Sequence, residues 1–317
     1  MSIFDQYQYP AVKAVALALG SLPPAVRNGA AVILGRLLFA LDPKHRQIAI
    51  GNLTRAFGHE KSEAWIRVTA RRVFENLFRI LFEVGWSLKL KNDELHKYFT
   101  VSGLSSYRNA MAKGKGVLLL GAHFGNWEIQ MAAAHLIGMP MRVVYRTLDA
   151  KGLDRFVLEY RSRFGAQMIS NQRGAIRKIY ASLRKGYPVG LLMDQNVDWY
   201  EGVFVDYFGH RACTNTGMAV LALKSEAPVV PFFLIRKGNG FECILGPELP
   251  LIRTGDQTKD IEENTRQYNR VIETYARRFP DQWFWVHQRW KTRPYCEWPN
   301  PKLRQKWLKK MKARARQ

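Results

Sequence analysis

The chain has 317 residues, which is long enough for one large domain or for two modest ones. Hydrophobic residues make up 47% and charged residues 24%, a balance that argues against an intrinsically disordered protein. The 49 Lys and Arg residues outnumber the 26 Asp and Glu residues, which gives a formal net charge of +23. This charge favours anionic partners such as nucleic acid, anionic lipid or an acidic protein or substrate, and it does not choose among them.

The N-terminal part is apolar but too interrupted for a comfortable membrane span. Residues 11–22 are mostly small and apolar, and Pro23-Pro24 end this stretch after about a dozen residues, whereas a spanning helix needs roughly 20. A second apolar stretch, residues 25–41, contains Arg27, Asn28 and Arg36. The absence of a basic leader and cleavage site argues against a secretory signal. We expect two short helices at a membrane interface, with one tilted span as the alternative.

The rest of the chain alternates between helical and strand patterns. Residues 46–95 have apolar side chains at helical intervals, and residues 117–122 form a continuous apolar run typical of a strand buried on both faces. Further strands are predicted at 98–101, 142–145, 167–169, 189–193, 229–235 and 241–245, and helices at 105–113, 153–164, 175–185, 218–224 and 260–279. Strands alternating with helices predict an α/β fold with a mainly parallel sheet flanked by helices.

The pattern predicts three regions. Residues 1–45 form a membrane-associating helical segment, residues 46–300 a single α/β domain with a helical N-terminal part, and residues 301–317 a basic tail. The tail has eight basic and no acidic residues, with Leu303, Trp307, Leu308 and Met311 on one helical face. It is either a solvated tail or an amphipathic helix on an anionic bilayer, where each basic residue adds about 1 kcal/mol. No nucleic-acid-binding motif accompanies it.

The cysteines give no sign of a disulfide framework or a metal site. They are far apart and form neither a Cys-x-x-Cys motif nor a Cys/His ligand spacing, a pattern that favours a reducing, cytoplasmic setting. We interpret all three as ordinary small apolar residues: Cys213, Cys243 and Cys296.

The segment His123-Phe-Gly-Asn-Trp-Glu128 carries the candidate chemistry. It directly follows the buried strand, where loops of an α/β sheet meet their ligands. Gly125 permits a turn and Asn126 is a good N-cap, so a helix is expected from Trp127, with Glu128 in its first turn. An imidazole and a carboxylate that meet can act as a general-base pair, and a structural role for both is the alternative. No serine elbow or cysteine nucleophile accompanies them, which favours direct attack by a substrate hydroxyl.

Several other residues are candidates for the site. Asp194 follows the strand at 189–193 and could support His123, bind acceptor hydroxyls or simply shape its loop. Arginine forks suit phosphate geometry, so Arg146, Arg161 and Arg163 are candidate phosphate ligands, with exposure to solvent as the alternative. Arg289 either touches substrate or serves the structure. Backbone N–H groups near Phe124 to Asn126 are the expected oxyanion donors.

Several blocks of the sequence resemble a known family. The segment GAHFGNWE closely resembles the H-x4-D/E block of glycerophospholipid-type acyltransferases, and more narrowly of the late acyltransferases of lipid A biosynthesis (the lauroyl and myristoyl transferase family). Other matching blocks follow in order over most of the chain: IGNLTRAFG (50–58), GLLMDQN (190–196), FVDYFGHRACTNTGMAVLALKSEAPVVP (204–231) and PDQWFWVHQRWKTRP (280–294).

The resemblance implies a mixed-sheet acyltransferase fold on the cytoplasmic face of the bacterial inner membrane. It further implies transfer of a fatty acyl chain from acyl carrier protein to a hydroxyl of an anionic lipid A precursor, with His123 as general base supported by Glu128. No metal or tightly bound cofactor is required, and no nucleic-acid partner is expected. The alternative is an acyltransferase that acts on a lysophospholipid, glycolipid or aminolipid with acyl-CoA or acyl carrier protein as donor.

Overall fold

The computed structural model describes residues 3–172, 174–293 and 305, with side chains from Tyr7 onward. The predicted basic tail, apart from Gln305, and Cys296 lie outside the described residues. Cys213 and Cys243 are buried, as expected of small apolar residues.

A seven-stranded sheet forms the centre of the fold, in the order β1-β9-β8-β2-β5-β3-β4. Five neighbouring strands, from β8 to β4, run parallel, whereas β9 pairs antiparallel with β8 and parallel with β1. These strands are β1 (Phe99–Ser102), β2 (Val117–Gly121), β3 (Arg142–Tyr145), β4 (Gln167–Ser170), β5 (Pro188–Leu192), β8 (Val229–Lys237) and β9 (Gly240–Leu245). The predicted α/β fold with a mixed, mainly parallel sheet is confirmed.

Helices cover both faces of the sheet. Alternate residues of β2 enter two separate cores: Leu118 and Leu120 face one core, and Val117 and Leu119 face the other. Side chains of α3 (Pro43–Phe57), α8 (Ala175–Arg184), α9 (Gly217–Ser225) and α10 (Gln257–Arg278) enter the first core. Those of α5 (Leu104–Met111), α6 (Gln130–Leu136) and α7 (Lys151–Ser162) enter the second, together with a 3₁₀ helix at Asn92–Lys97.

A separate hairpin lies between the fifth strand and α9. It consists of β6 (Gly202–Tyr207) and β7 (His210–Asn215), which pair antiparallel around a turn at Phe208-Gly209. No strand is predicted there from the sequence, because charged residues interrupt the alternation on which a strand prediction depends.

The N-terminal helices pack on the body of the protein. Helix α2 (Pro24–Leu41) lies antiparallel to α4 (Glu63–Ser87), since Arg27 stacks on Trp86 at one end and Gly35 meets the backbone of Glu75 further along. A Cβ atom at Gly35 would lie 2.5 Å from the Cα of Glu75, so glycine permits this close approach. Helix α1 (Ile3–Gly20) packs on α4 and α7. Among the described helices, α2 alone is long and apolar enough to cross a membrane by length and composition.

Candidate active site

The carboxyl edge of the parallel sheet brings His123 and Asp194 together. His123 lies two residues after β2, and Asp194 lies two residues after β5, the parallel neighbour of β2. Because parallel neighbours end at the same edge, the two side chains meet there. The side chain of His123 is 18% exposed and that of Asp194 only 2%, so a substrate can reach the histidine but not the carboxylate.

Three hydrogen bonds fix the carboxylate of Asp194 against the histidine. Its Oδ1 lies 2.8 Å from Nδ1 of His123, and its Oδ2 accepts the backbone N–H of His123 at 2.9 Å and the indole N–H of Trp283 at 2.8 Å. An ionised carboxylate only accepts, so Nδ1 must carry the ring proton and Nε2 keeps its lone pair. The geometry therefore leaves Nε2 as the basic nitrogen.

The environment of Asp194 keeps this group ionised. Burial opposes ionisation, but the interaction with His123 and the three hydrogen bonds outweigh it, so the pKa of Asp194 is lowered from its usual value. A carboxylate that stays ionised can hold the tautomer of His123 and stabilise an imidazolium when one forms.

The open side of the imidazole faces an amide. The side-chain Nε2 of Gln195 lies 3.3 Å from Nε2 of His123 and can donate to its lone pair. The rings of Trp127 and Phe284 lie 5.1 and 5.9 Å from the imidazole, centroid to centroid, and confine it on its other sides. Two of the expected oxyanion donors, in contrast, are engaged: the N–H of Phe124 donates to Ala122 and that of Gly125 to Gln282.

The loop after β2 is held by its glycine and its asparagine. Gly125 has a φ of 57°, and a Cβ there would lie 1.9 Å from the carbonyl oxygen of Leu234, so another residue would displace the loop. Asn126 is fully buried; its Oδ1 accepts the backbone N–H of Glu128, and its Nδ2 donates to Glu83 at 2.8 Å. Arg236 in turn holds Glu83 through two hydrogen bonds of 2.6 and 2.7 Å.

The structure corrects the expected placement of Glu128. Helix α6 begins at Gln130, so Glu128 lies in the turn before it and not in its first turn. The described residues show no hydrogen bond between Glu128 and His123. Instead the carboxylate accepts two hydrogen bonds from Arg161, at 2.8 and 2.6 Å, and one from the indole N–H of Trp127 at 3.0 Å. Because Trp127 packs against His123, the influence of Glu128 on the histidine is indirect.

The four arginines predicted to bind substrate have different surroundings. Arg161 is paired with Glu128, and Arg163 donates to the backbone carbonyls of Ser87 and Leu90 at the end of α4. Arg146 follows β3 at the carboxyl edge and is exposed. Arg163 is exposed as well, so both Arg146 and Arg163 stay candidates for an anionic ligand.

Arg289 is fully buried and cannot touch a substrate. Its guanidinium donates to the carbonyl of Cys213 and to the side chains of Thr214 and Asn269, and it lies 5.1 Å from the ring centre of Tyr207. Burial lowers its pKa, while the charge of Asp194 acts in the opposite direction. The alternative of substrate contact is thus excluded by burial, and Arg289 serves the structure behind the site.

An open cavity of about 510 Å³ lies along α7, beside the loop that follows β3. Thr147, Lys151, Arg155 and Leu158 contribute to its lining, together with the acidic residues Asp149, Asp154 and Glu159. Since β3 is parallel to β5 and β2, this cavity lies on the same edge of the sheet as His123, two strands away.

Comparison with known proteins identifies the family of this chain. The family model of the bacterial lipid A biosynthesis acyltransferases matches residues 4–292. The chain belongs to this family. It is 30% identical over 266 residues to the lipid A biosynthesis lauroyltransferase of Escherichia coli (strain K12), covering 82% of this chain and 84% of that one. The match with the palmitoleoyltransferase of the same strain is 27% identical over 259 residues, covering 80% and 81%.

A relative that matches over a shorter part of the chain is named for a different acceptor. The chain is 27% identical over 187 residues to a phosphatidylinositol mannoside acyltransferase of Mycolicibacterium smegmatis, covering 57% of this chain and 59% of that one. All three relatives are named as acyltransferases, in agreement with the family. The chain is accordingly an O-acyltransferase.

Two residues at the acyltransferase site are not predicted from the sequence. Gln195 directly follows Asp194 at the mouth of a buried strand, a position that could have indicated it. Trp283 lies 89 positions after Asp194 in the chain, and no local pattern connects them. The indole N–H of Trp283 donates to Asp194, since an indole buried to this extent usually finds a hydrogen-bond partner.

His287 supports the same loop from behind. Its Nε2 accepts the backbone N–H of Asn196 at 2.7 Å, and its own backbone carbonyl accepts a hydrogen bond from Asn52. Accepting at Nε2 requires a neutral ring. Burial lowers the pKa of His287 from 6.5 to about 4, which keeps the ring neutral at physiological pH.

The acyltransferase is therefore expected to lose stability in mild acid. When the pH is lowered from 7 to 5, the unfolded chain takes up a proton at His287 and the folded chain does not. The free energy of unfolding therefore decreases as the pH is lowered. We expect His287 to account for roughly 1–2 kcal/mol of that fall, after allowance for solvent screening. Chemical denaturation at both pH values measures it. In His287→Gln, which can accept the same N–H without titrating, the fall should be smaller by this amount, and an unchanged fall would contradict the assignment.

Proposed function

We propose that this acyltransferase moves a fatty acyl chain from acyl carrier protein to a hydroxyl of a lipid A precursor, with His123 as general base. One observation carries the proposal: at the edge of the sheet, a partly exposed histidine has its Nδ1 against a buried carboxylate and its Nε2 directed outward. The family supports the acceptor, and the resemblance of the motif blocks supports the donor.

The reaction has two steps. Nε2 of His123 removes the proton from the acceptor hydroxyl as its oxygen attacks the thioester carbonyl, giving a tetrahedral intermediate and an imidazolium. Asp194 stabilises the imidazolium through Nδ1. The C–S bond then breaks, the carbonyl re-forms as an ester, and the leaving thiolate takes the proton from the imidazolium, so the histidine returns to its starting state.

Gln195 is the proposed donor to the oxyanion. In the free enzyme its amide lies 3.3 Å from Nε2 of His123, the position that the acceptor hydroxyl must take. When the hydroxyl displaces the amide, an N–H donor is released within a few ångströms of the reacting carbonyl. Donors aimed at a developing oxyanion are among the largest contributions to catalysis.

Glu128 and Arg161 are proposed to maintain the shape of the site. Glu128 fixes the indole of Trp127 against the histidine, and Arg161 neutralises Glu128 at the half-buried position that both occupy. Arg146 is proposed to bind a phosphate of the acceptor, and the cavity along α7 is proposed to receive its sugar hydroxyls, because both share the edge of the sheet with His123.

Helix α2 is proposed to hold the protein at the cytoplasmic face of the inner membrane. Its outer side is apolar and exposed, with Val26, Ile33, Leu37 and Leu41 between 50% and 77% accessible. Its other side lies on α4, where Arg36 of α2 pairs with Glu75. Because this ion pair would be costly in the hydrocarbon core, α2 is proposed to lie in the interface without crossing the membrane.

The apolar side of α2 gives a testable prediction. Ile33→Asp combined with Leu37→Asp should release most of the protein from vesicles, measured by co-sedimentation, since burial of each side chain is worth about 1.5–3 kcal/mol. The matched control places the same two charges on α8, at Ile176 and Tyr180, which are also exposed. Equal release by both double variants would show that α2 is not the membrane contact.

A donor and acceptor matrix tests the proposed function. Purified protein is given the same acyl chain on acyl carrier protein or on CoA, with a lipid A precursor, a lysophospholipid or a mannosylated phosphatidylinositol as acceptor. The expected product is the lipid A precursor heavier by one acyl chain, formed from the carrier-protein donor. The match with the phosphatidylinositol mannoside enzyme makes the mannosylated phosphatidylinositol the second candidate acceptor. Preferential transfer to this glycolipid would contradict the lipid A precursor as the acceptor.

A further inference from the structure

A long basic section of the chain surrounds α8. The 34 residues from Tyr160 to Met193 contain no Asp or Glu, although 26 acidic residues occur in the whole chain. The section contains seven basic residues: Arg161, Arg163, Arg173, Arg177, Lys178, Arg184 and Lys185. Of these, Arg161 and Arg163 are engaged by Glu128 and by backbone carbonyls. The basic residues of α8 and its C-cap, in contrast, make no ion pair within the described chain.

One side of α8 combines two of these arginines with exposed apolar side chains. Ile179 and Leu183 are buried and hold the helix on the sheet. Ile176 and Tyr180, one turn apart, are 61% and 38% exposed. Arg177 and Arg184 follow at helical spacing on the same side, so these four residues form a continuous strip, here called the α8 strip: Ile176, Arg177, Tyr180 and Arg184. Lys178 and Lys185, seven residues apart, lie on the opposite side of the helix.

The α8 strip begins at the catalytic edge of the sheet. Helix α8 follows β4, which ends at the same edge as β2, three strands away. Neighbouring strands are spaced about 4.8 Å apart, so this separation is about 14 Å. A protein bound on the strip could therefore deliver a thioester on a long, flexible arm across the ends of β3 and β5 to His123.

Helix α8 and helix α7 lie on opposite faces of the sheet. Ile179 and Leu183 belong to the core on the Leu118 side of the sheet, whereas Tyr160 of α7 belongs to the core on the other side. Helix α1 packs against α7 through Lys13 and Glu159. The strip thus lies on the opposite face of the sheet from α7 and its contact with α1. Its place near the end of β4, about 14 Å from the end of β2, favours a partner that carries the thioester to the site.

We propose that the α8 strip is the docking surface for the acidic carrier protein that bears the acyl thioester, an inference that rests on the proposed function. Ile176 and Tyr180 supply apolar contact, and Arg177 and Arg184 attract and orient the acidic partner, the combination of anchors and complementary charge by which protein interfaces work.

Charge reversal on the two sides of α8 tests the docking surface. Arg177→Glu with Arg184→Glu should lower kcat/KM at least ~10-fold with acyl carrier protein as donor, since complementary charge speeds encounter and opposes dissociation. Lys178→Glu with Lys185→Glu makes the same change in net charge on the other side of the helix. This double variant should change kcat/KM with acyl carrier protein by less than about 2-fold. With an acyl-pantetheine thioester, which has the reacting group but no protein, both double variants should match the wild type.

The outcomes separate this inference from the proposed function. If the wild type transfers from acyl carrier protein but both double variants lose this activity to the same extent, net charge and not the α8 strip determines docking. A wild type that accepts only the CoA donor would overturn the proposed donor itself. Loss of binding to anionic vesicles by the Arg177/Arg184 variant alone would identify the strip as a membrane contact and overturn the inference.

Discussion

Replacement of His123 by alanine is expected to lower the rate of acyl transfer by about 100- to 10,000-fold, the range of general-base contributions. The loss should appear in kcat, because the imidazole acts on the proton of the hydroxyl during attack. Substrate binding should change little, since the ring occupies a small part of the site. Steady-state kinetics with a carrier-protein donor and a dispersed acceptor measure both quantities.

The control for this prediction is another histidine. His59 is exposed on the surface and, within the described part of the chain, forms its ion pair with its neighbour Glu60, so His59→Ala should retain the wild-type rate. Thermal melting should show that both variants remain folded. A His123→Ala enzyme with a near wild-type rate would exclude the histidine as the base.

Asp194→Asn is expected to have an effect of similar size, about 100- to 10,000-fold on kcat, although the change is nearly isosteric. If the amide N–H₂ faces Nδ1, the ring proton must move to Nε2, and the base is lost. If the amide oxygen faces Nδ1, the N–H₂ group faces the N–H donors of His123 and Trp283. Either orientation removes the negative charge that stabilises the imidazolium.

Glu128→Gln is the matched comparison. Glutamine keeps an acceptor for the indole of Trp127 and loses only the charge that pairs with Arg161. We expect a loss of about 10-fold or less, because removing a positioning group costs less than removing the group that sets the tautomer. If Glu128→Gln lost as much activity as Asp194→Asn, the carboxylate would have a direct catalytic role, as the sequence motif indicates.

The sheet and the position of His123 could be predicted from the sequence because both depend on local patterns. The apolar runs of β2 and β5 are typical of buried parallel strands, and residues that follow such strands meet at one edge. This rule makes Asp194 a possible partner for His123. It could not decide between Asp194 and Glu128, because that choice depends on which way a turn directs its side chains.

The partners of Glu128 and Arg289 could not be predicted, because they are distant in the chain. Arg161 comes from a helix 33 residues later, and nothing around Glu128 indicates that pairing. Arg289 is buried against β7 and α10, although charged residues are rarely buried fully without an ionic partner. Its hydrogen bonds to a carbonyl and polar side chains appear only when these distant elements are assembled.

The contacts of the polar residues in α2 could not be predicted from the sequence either. In the sequence, Arg27 and Arg36 interrupt an apolar stretch and argue against a span. In the structure, Arg27 stacks on Trp86 and Arg36 pairs with Glu75, so the outer side remains free of charge along its centre. The apolar composition therefore indicates that one side of α2 is apolar, whereas its packing on α4 could be seen only in the structure.

Mass spectrometry of lipid A from cells that make this protein tests the central proposal most directly. Deletion of its gene should give lipid A lighter by one acyl chain, and the wild-type protein should restore the lost chain. His123→Ala, made at the same level and folded, should leave the lighter species in place. Unchanged lipid A after deletion, in cells where no second enzyme of this kind is made, would contradict the proposed acceptor, and restoration by His123→Ala would contradict the proposed base.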